Sequence, residues 1–211
     1  MSHNWLDISV PLQPGMAHWP GDSGFVATRP SDMAKGDVCN LTSMAMSAHT
    51  GTHMDAPLHF IDGGDSMDAL PFDAVIGDVR VVAIRDEVAI GPEELETFNI
   101  QIGERIIFKT RNSQRDWAAY PFDERFVHIN PAGAQYLVDK QIATVGVDYL
   151  SIGGFLEGGV ECHQIMLGAG VWVIEGLDLA GIEVGVYEMV CLPLRLKGAE
   201  GSPARVVIRA K

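Results

Sequence analysis

The amino-acid sequence predicts a single α/β domain, and three observations carry that reading. Short β-branched runs punctuated by Gly, Pro and Asp recur along the chain. A helix signature beginning Asn130-Pro131-Ala132-Gly133-Ala134 precedes the buried-strand pattern Ile142-Ala143-Thr144-Val145-Gly146-Val147, the order of an α/β unit. No repeat, low-complexity tract or long linker divides the 211 residues, so residues 1–211 are expected to form one domain.

The expected strands, in chain order, are Phe25 to Thr28, Asn40 to Ser47, Val79 to Ile84, Arg105 to Lys109, Phe126 to Ile129, Thr144 to Val147, Val171 to Ile174, Tyr187 to Leu192 and Ala204 to Ile208. The first expected helix, Gly91 to Glu96, puts Pro92 at the first helical position. Glu93 and Glu94 then meet the positive end of the helix dipole. The second, Asn130 to Val138, repeats that signature with Asn130 as N-cap. A third, short helix begins near Glu161 to His163, runs to Leu167 and stops at Gly168-Ala169-Gly170.

Composition narrows the function classes. Apolar residues make up 47%, enough for a substantial core. Apolar runs such as Val171-Trp172-Val173-Ile174 fall far short of the ~20 residues of a membrane span. The net charge of −13 repels polyanions and argues against nucleic acid as a partner. Cys39, Cys162 and Cys191 form no Cys-x-x-Cys pair, which argues against a zinc finger or disulfide framework. Each is expected to be a buried thiol, although Cys162 adjoins His163. The opening Met1 to Asp7 lacks the basic and apolar regions of a secretion signal, so a cytoplasmic location is expected.

The chemistry concentrates in one short stretch. His49, His53, Asp55 and His59 fall within eleven positions. The i, i+4 spacing of His49 and His53 occurs in helical zinc motifs, but Gly51, Thr52 and Pro57 disfavour a helix. Read as extended chain, positions 49, 51, 53, 55, 57 and 59 share one face. Gly51 would leave space between the two histidines, and a turn at Asp55-Ala56-Pro57 would bend the row into a cup. Imidazoles with a carboxylate suit Zn²⁺, Mn²⁺ or Fe²⁺. One strand rarely encloses a metal, so a second contribution is needed, for which His163 and Glu175 are candidates. Alone, Glu175 reads equally as a solvated strand-end acid and as a ligand. Pro20-Gly21 forms a turn that presents Trp19 either to an aromatic substrate or to the core. Gly21-Asp22-Ser23-Gly24 imitates a serine-protease loop, but no room precedes it for the other triad members. His3, His18 and His128 suggest no role.

His49-Thr50-Gly51-Thr52-His53-Met54-Asp55-Ala56-Pro57-Leu58-His59 resembles the signature of the cyclase-like metal-dependent hydrolases, a family that includes bacterial kynurenine formamidase and isatin hydrolase. Leu6-Asp7-Ile8-Ser9, Trp19 to Asp22, Val173 to Leu177 and Leu192 to Arg195 extend the resemblance over nearly the whole chain. It implies an α/β fold with a mixed, barrel-like sheet and flanking helices, a homodimer, and a site for two divalent ions, usually zinc, with manganese the alternative. His49, His53 and Asp55 would hold the first ion, and Asp55 would bridge to the second. His163 and Glu175 would complete the site, with Glu175 also bridging. His59 would be the acid/base and Trp19 would contact a small aromatic amide substrate. The implied reaction is hydrolysis of N-formylkynurenine to kynurenine and formate, with the opening of a cyclic aryl amide such as isatin as the alternative. A catalytically idle metal-binding scaffold is the reading from another class, and the intact His59 argues against it. One stretch departs from the family pattern: Gly146-Val147-Asp148-Tyr149-Leu150-Ser151-Ile152-Gly153-Gly154. It is expected to border the substrate pocket, which leaves the substrate's identity open.

Overall fold

The structure, a computed structural model, describes residues 4–211; His3 lies outside the described residues. Twelve strands are formed among these: β1 (Leu6–Asp7), β2 (Val26–Ser31), β3 (Leu41–Ala45), β4 (His53–Asp55), β5 (Ile76–Ala83), β6 (Ala89–Ile90), β7 (Arg105–Lys109), β8 (His128–Ile129), β9 (Thr144–Val147), β10 (Trp172–Glu175), β11 (Gly185–Pro193) and β12 (Gly201–Ala210). The α-helices are α1 (Phe72–Val75), α2 (Pro92–Leu95), α3 (Pro131–Asp139) and α4 (Gly159–Gly168).

The main sheet runs β1-β12-β11-β5-β7-β9-β10-β4, and β4 pairs again with β12. That second pairing closes seven strands into a barrel, with β1 attached outside the ring on β12. Strands β5, β7, β9 and β10 are parallel neighbours, and the remaining pairings in this sheet are antiparallel. The sheet is therefore mixed, as the resemblance implies.

Alternation along each strand separates two cores. On β7, Ile106 and Phe108 pack with Leu137 of α3 and Met166 of α4, while Ile107 points to the opposite face. On β10, Val173 joins the helix-covered core and Ile174 joins Ile107. Met54, Met189, Val206 and Ile208 fill the same space from the far strands, which makes this second core the barrel interior. Each fully buried aliphatic side chain of this kind contributes about 1.5–3 kcal/mol.

All nine expected strands are present, Arg105–Lys109 and Thr144–Val147 with the bounds expected and the others with shifted bounds. Expected strand 126–129 shrinks to His128–Ile129, which pairs with β6 outside the main sheet. β2 and β3 form a separate hairpin whose side chains are almost all exposed. The first helix is only Pro92–Leu95, continued by a 3-10 turn over Glu96–Phe98. Asn130 caps α3 as expected, its side chain accepting from the Gly133 amide. α4 starts at Gly159 and ends at Gly168. Cys162 and Cys191 are buried, whereas Cys39, expected to be buried, is exposed beside the hairpin. None of the helices among the described residues is long and apolar enough to cross a membrane.

One local expectation is corrected. The row from His49 to His59 is not continuously extended. His49 sits in a turn, Gly51 adopts φ +65°, only His53–Asp55 is strand, and Pro57–His59 is a 3-10 turn. Nor does Gly51 space the two histidines. A Cβ there would meet Leu12, Met16 and Val10, so this glycine serves a close apolar approach from the N-terminal segment.

Candidate metal centre

β4 is the seam of the barrel and the floor of the site. His53 lies opposite Glu175 on one side and Pro203 on the other, and Asp55 lies opposite Val173 and Gly201. Directly opposed residues on antiparallel strands bring their side chains together. His53 Nε2 is accordingly 3.1 Å from Glu175 Oε2 and 3.6 Å from Asp55 Oδ1. From the turn before β4, His49 Nδ1 reaches Asp55 Oδ1 at 2.8 Å. From α4, His163 Nε2 reaches Glu175 Oε1 at 3.2 Å and stands 3.8 Å from Asp55 Oδ2. The helix places His163 because its first turn faces the end of β10, and Phe60 stacks on the ring at 4.4 Å.

Backbone groups orient two of these rings. His53 Nδ1 donates to the Gly51 carbonyl at 2.8 Å, and His163 Nδ1 donates to the Gly159 carbonyl at 2.7 Å. Each ring then presents Nε2 inward, an arrangement typical of metal-ligating histidines. The Ile152 amide donates to Glu175 Oε1 at 2.7 Å. Gly176, at φ +71°, follows Glu175. A Cβ on it would lie 2.1 Å from the Gly51 carbonyl oxygen, the atom that holds His53.

His53 and Asp55 are fully buried, and Glu175 and His163 are 3% and 4% exposed. Among the described residues, His49 Nε2, His53 Nε2 and Asp55 Oδ2 are buried without a hydrogen-bond partner. Unsatisfied buried polar atoms are rare and call for an explanation. A divalent cation supplies one, since imidazole nitrogen and carboxylate oxygen are its usual donors. Two triads, His49/Asp55/His59 and His53/Asp55/Glu175, place their donor atoms within 4.8 Å of one another. Both share Asp55, so the set expected for the first ion, His49, His53 and Asp55, is divided between them. The residues fit a divalent-cation site in which Asp55 belongs to both triads.

The electrostatics agree. Burial opposes charge on His49, yet the hydrogen bond and charge of Asp55, with Glu175 and Glu200, raise its pKa to about 9. Burial pushes Asp55 up, but His49, His53 and His59 hold it well below the usual carboxylate range. Glu175 is likewise lowered, because His163 and His53 outweigh both burial and the Asp55 charge. Two ionised, buried carboxylates thus face each other across imidazoles, a field that favours cations. His59 differs: burial lowers its pKa, with His49 and His163 opposing its proton and the carboxylates favouring it. Its ring stacks on His49 at 4.1 Å.

Above the centre opens a cavity of about 800 Å³. Trp19 forms part of its wall, in edge contact with Phe122 at 5.2 Å and Phe155 at 5.3 Å. It is half-buried, packed on aromatic neighbours on one side and open to the cavity on the other. Leu150, Ser151 and Gly154 line the cavity, as expected for that stretch, whereas Tyr149 stacks on Phe126 behind the wall. Among the lining residues that escaped sequence reasoning are Phe155, Phe60, Ser47 and Glu200. Phe60 follows the motif directly, Ser47 donates to Asp22 at 3.0 Å, and Glu200 lies 3.5 Å from His49 Nε2. Phe60 could have been found from its place beside His59; Glu200, in a loop far along the chain, carries no local signal.

Residues 6–153 match the family described as "Putative cyclase". Kynurenine formamidase of Bacillus cereus is 34% identical over 205 residues, 97% of both chains. The Bacillus anthracis enzyme of the same name is 33% identical over the same share of each. A solved "potential metal-dependent hydrolase with cyclase activity" superposes with a TM-score of 0.89 at 31% identity, over 100% of this chain and 99% of the other. Isatin hydrolase A from Labrenzia aggregata shares the fold, with a TM-score of 0.83 at 23% identity over 98% and 93%.

Proposed function

Because this chain belongs to the cyclase family of metal-dependent hydrolases, we propose that it hydrolyses aryl formamides, with N-formylkynurenine as substrate and kynurenine and formate as products. The observation that carries this reading is the pair His53 Nε2 and Asp55 Oδ2, both buried without a hydrogen-bond partner, with His53 on the floor of an aromatic-walled cavity and Asp55 behind it. We assign His49, His53, Asp55, His163 and Glu175 as the residues that would hold two divalent ions, zinc in the first instance and manganese as the alternative, with Asp55 common to both candidate triads. When bound, such a pair supplies Lewis acidity that acidifies water and polarises a carbonyl.

The chain's own residues do the rest. Trp19 and Phe155 hold the aryl ring and exclude bulk water from the floor. Asp55 and Glu175 stay ionised there. His59, kept neutral at rest by burial, takes a proton as water adds to the formyl carbon. It passes that proton to the nitrogen as the C–N bond breaks, leaving an aryl amine and formate. Such acid–base assistance is worth ~10²–10⁴-fold.

A homodimer completes the reading. The β2–β3 hairpin exposes Val26, Leu41 and Met44 at 55–61%, and a lone hairpin is marginal in water, so a second copy is the proposed cover.

The test is release of kynurenine from N-formylkynurenine by protein loaded with Zn²⁺ or Mn²⁺, beside a chelated control. Metal-dependent release is expected. Loaded protein that cleaves no formamide but opens isatin moves the substrate to the cyclic amides. Loaded protein inert to both overturns the enzymatic reading.

A further inference from the structure

Away from the histidines of its floor, the cavity above the metal centre carries only acidic charged side chains. Besides Glu175 on the floor, its lining holds four carboxylates, Asp22, Glu157, Glu161 and Glu200, and no Lys or Arg. Among the described residues, none of the four forms a salt bridge with a Lys or Arg. Glu157 and Glu161 are exposed, while His53 and Glu175 are buried, so these two acids stand at the mouth; Asp22 and Glu200 are half-buried between mouth and floor. Asp22 accepts from Ser47, and Glu200 faces His49. Trp19 and Phe155 flank the same space. Aromatic faces attract cations as carboxylates do. The chain's net charge of −13 adds a field of the same sign.

The floor is a separate observation. His53 lines the same cavity, is fully buried and leaves Nε2 without a hydrogen-bond partner. A substrate whose amide reaches the floor leaves its tail among the mouth carboxylates.

We propose that this mouth sorts substrates by the charge of the tail: it accepts a tail ammonium, tolerates a neutral tail and opposes a tail carboxylate. For an amino-acid tail, the ammonium is the recognised group and the carboxylate is turned outward. The inference rests on the aryl-formamide reading. Asp22, Glu157, Glu161 and Glu200 are then specificity determinants that take no part in bond cleavage.

The experiment compares kcat/KM of the metal-loaded protein for three aryl formamides with one ring and one chain length. One carries the full amino-acid tail, one only the amine, and one only the carboxylate. The amine-only compound should exceed the carboxylate-only compound by at least about fivefold. That is the effect of one unit charge about 8 Å away at an effective dielectric of about 40. The difference should sit mainly in KM and shrink as salt rises from about 0.02 to about 0.5 M, an arm that needs no variant. Those two concentrations lie about fivefold either side of ~0.1 M. The difference should also shrink in the double variant Glu157→Gln/Glu161→Gln. Equal kcat/KM for the two tails, or a preference for the carboxylate, overturns the inference and leaves formamide hydrolysis standing. If loaded protein cleaves none of the three, the formamide reading falls and takes this inference with it.

Discussion

Gly201 offers a way to displace one proposed ligand without altering any ligand. It sits on β12 opposite Asp55, and the His49 ring lies directly over its α-carbon. A Cβ added there would lie 2.5 Å from His49 Cε1, 2.8 Å from Nε2 and 3.1 Å from Nδ1. Ordinary contact begins at 3.4 Å, so the ring must retreat about 0.9 Å. It has little freedom to do so, since Asp55 holds Nδ1 at 2.8 Å and His59 stacks on the ring at 4.1 Å. Overpacking of this kind costs about 1–3 kcal/mol of stability. A misplacement of about 1 Å at a reacting centre costs ~10²-fold in rate. Gly201→Ala should therefore fold, lose part of its bound metal and hydrolyse formamide roughly a hundredfold more slowly. Circular dichroism, metal analysis of the purified protein and kcat with added Zn²⁺ provide the readouts. Full metal content with turnover within twofold of wild type would refute the claim that His49 must occupy its present position.

The remaining predictions test single groups. His59→Ala should retain metal and lose ~10²–10⁴-fold in kcat; loss of metal in that variant would make His59 a ligand of the His49/Asp55 triad instead. Asp55→Asn should lose metal and activity together, and a variant with its full metal content would end the bridging assignment. Of the three thiols, only Cys39 should react with a thiol reagent in the native protein, because burial encloses Cys162 and Cys191 and pushes both thiols above their ordinary range; three fast equivalents would contradict the packing. Burial raises Asp148 above the ordinary 3.8, against donors from Ser113 and Thr110. A raised folded value means that its stability contribution is present below the unfolded pKa and is lost as pH rises through the folded one. The stability advantage of wild type over Asp148→Asn should thus narrow between pH 4 and pH 7 in urea titrations, and an advantage that widens would reverse the sign.

Local signals were legible where they lay within one stretch of chain. The eleven residues from His49 to His59 announce a metal site because four donor groups crowd there. Pro92 and Asn130 mark helix starts by chemistry that needs no tertiary context. Glu175 was ambiguous until its strand met β4, since an acid at a strand end acquires meaning only from what lies opposite. Glu200 gives no signal at all, because its proximity to His49 depends on a loop between two distant strands. Strict alternation breaks at His49 because Gly51, at positive φ, turns the chain before the strand begins at His53. β1 and β6 are two residues each, too short for any period to show.

The seam at β4 also bears on how long the folded protein lasts. Its pairings join His53 to Glu175 and Asp55 to Gly201, partners more than a hundred residues apart in sequence. Contacts of such long range form late, after local hairpins and helices. The barrel is thus expected to close at the strand that carries His53 and Asp55, with Glu175 facing it. An ion held across that closure acts as a rivet placed after assembly. Interactions absent from the folding transition state slow unfolding and leave the folding rate nearly unchanged. Metal occupancy would then set the lifetime of the closed barrel, and a depleted molecule would be the one that a protease finds open.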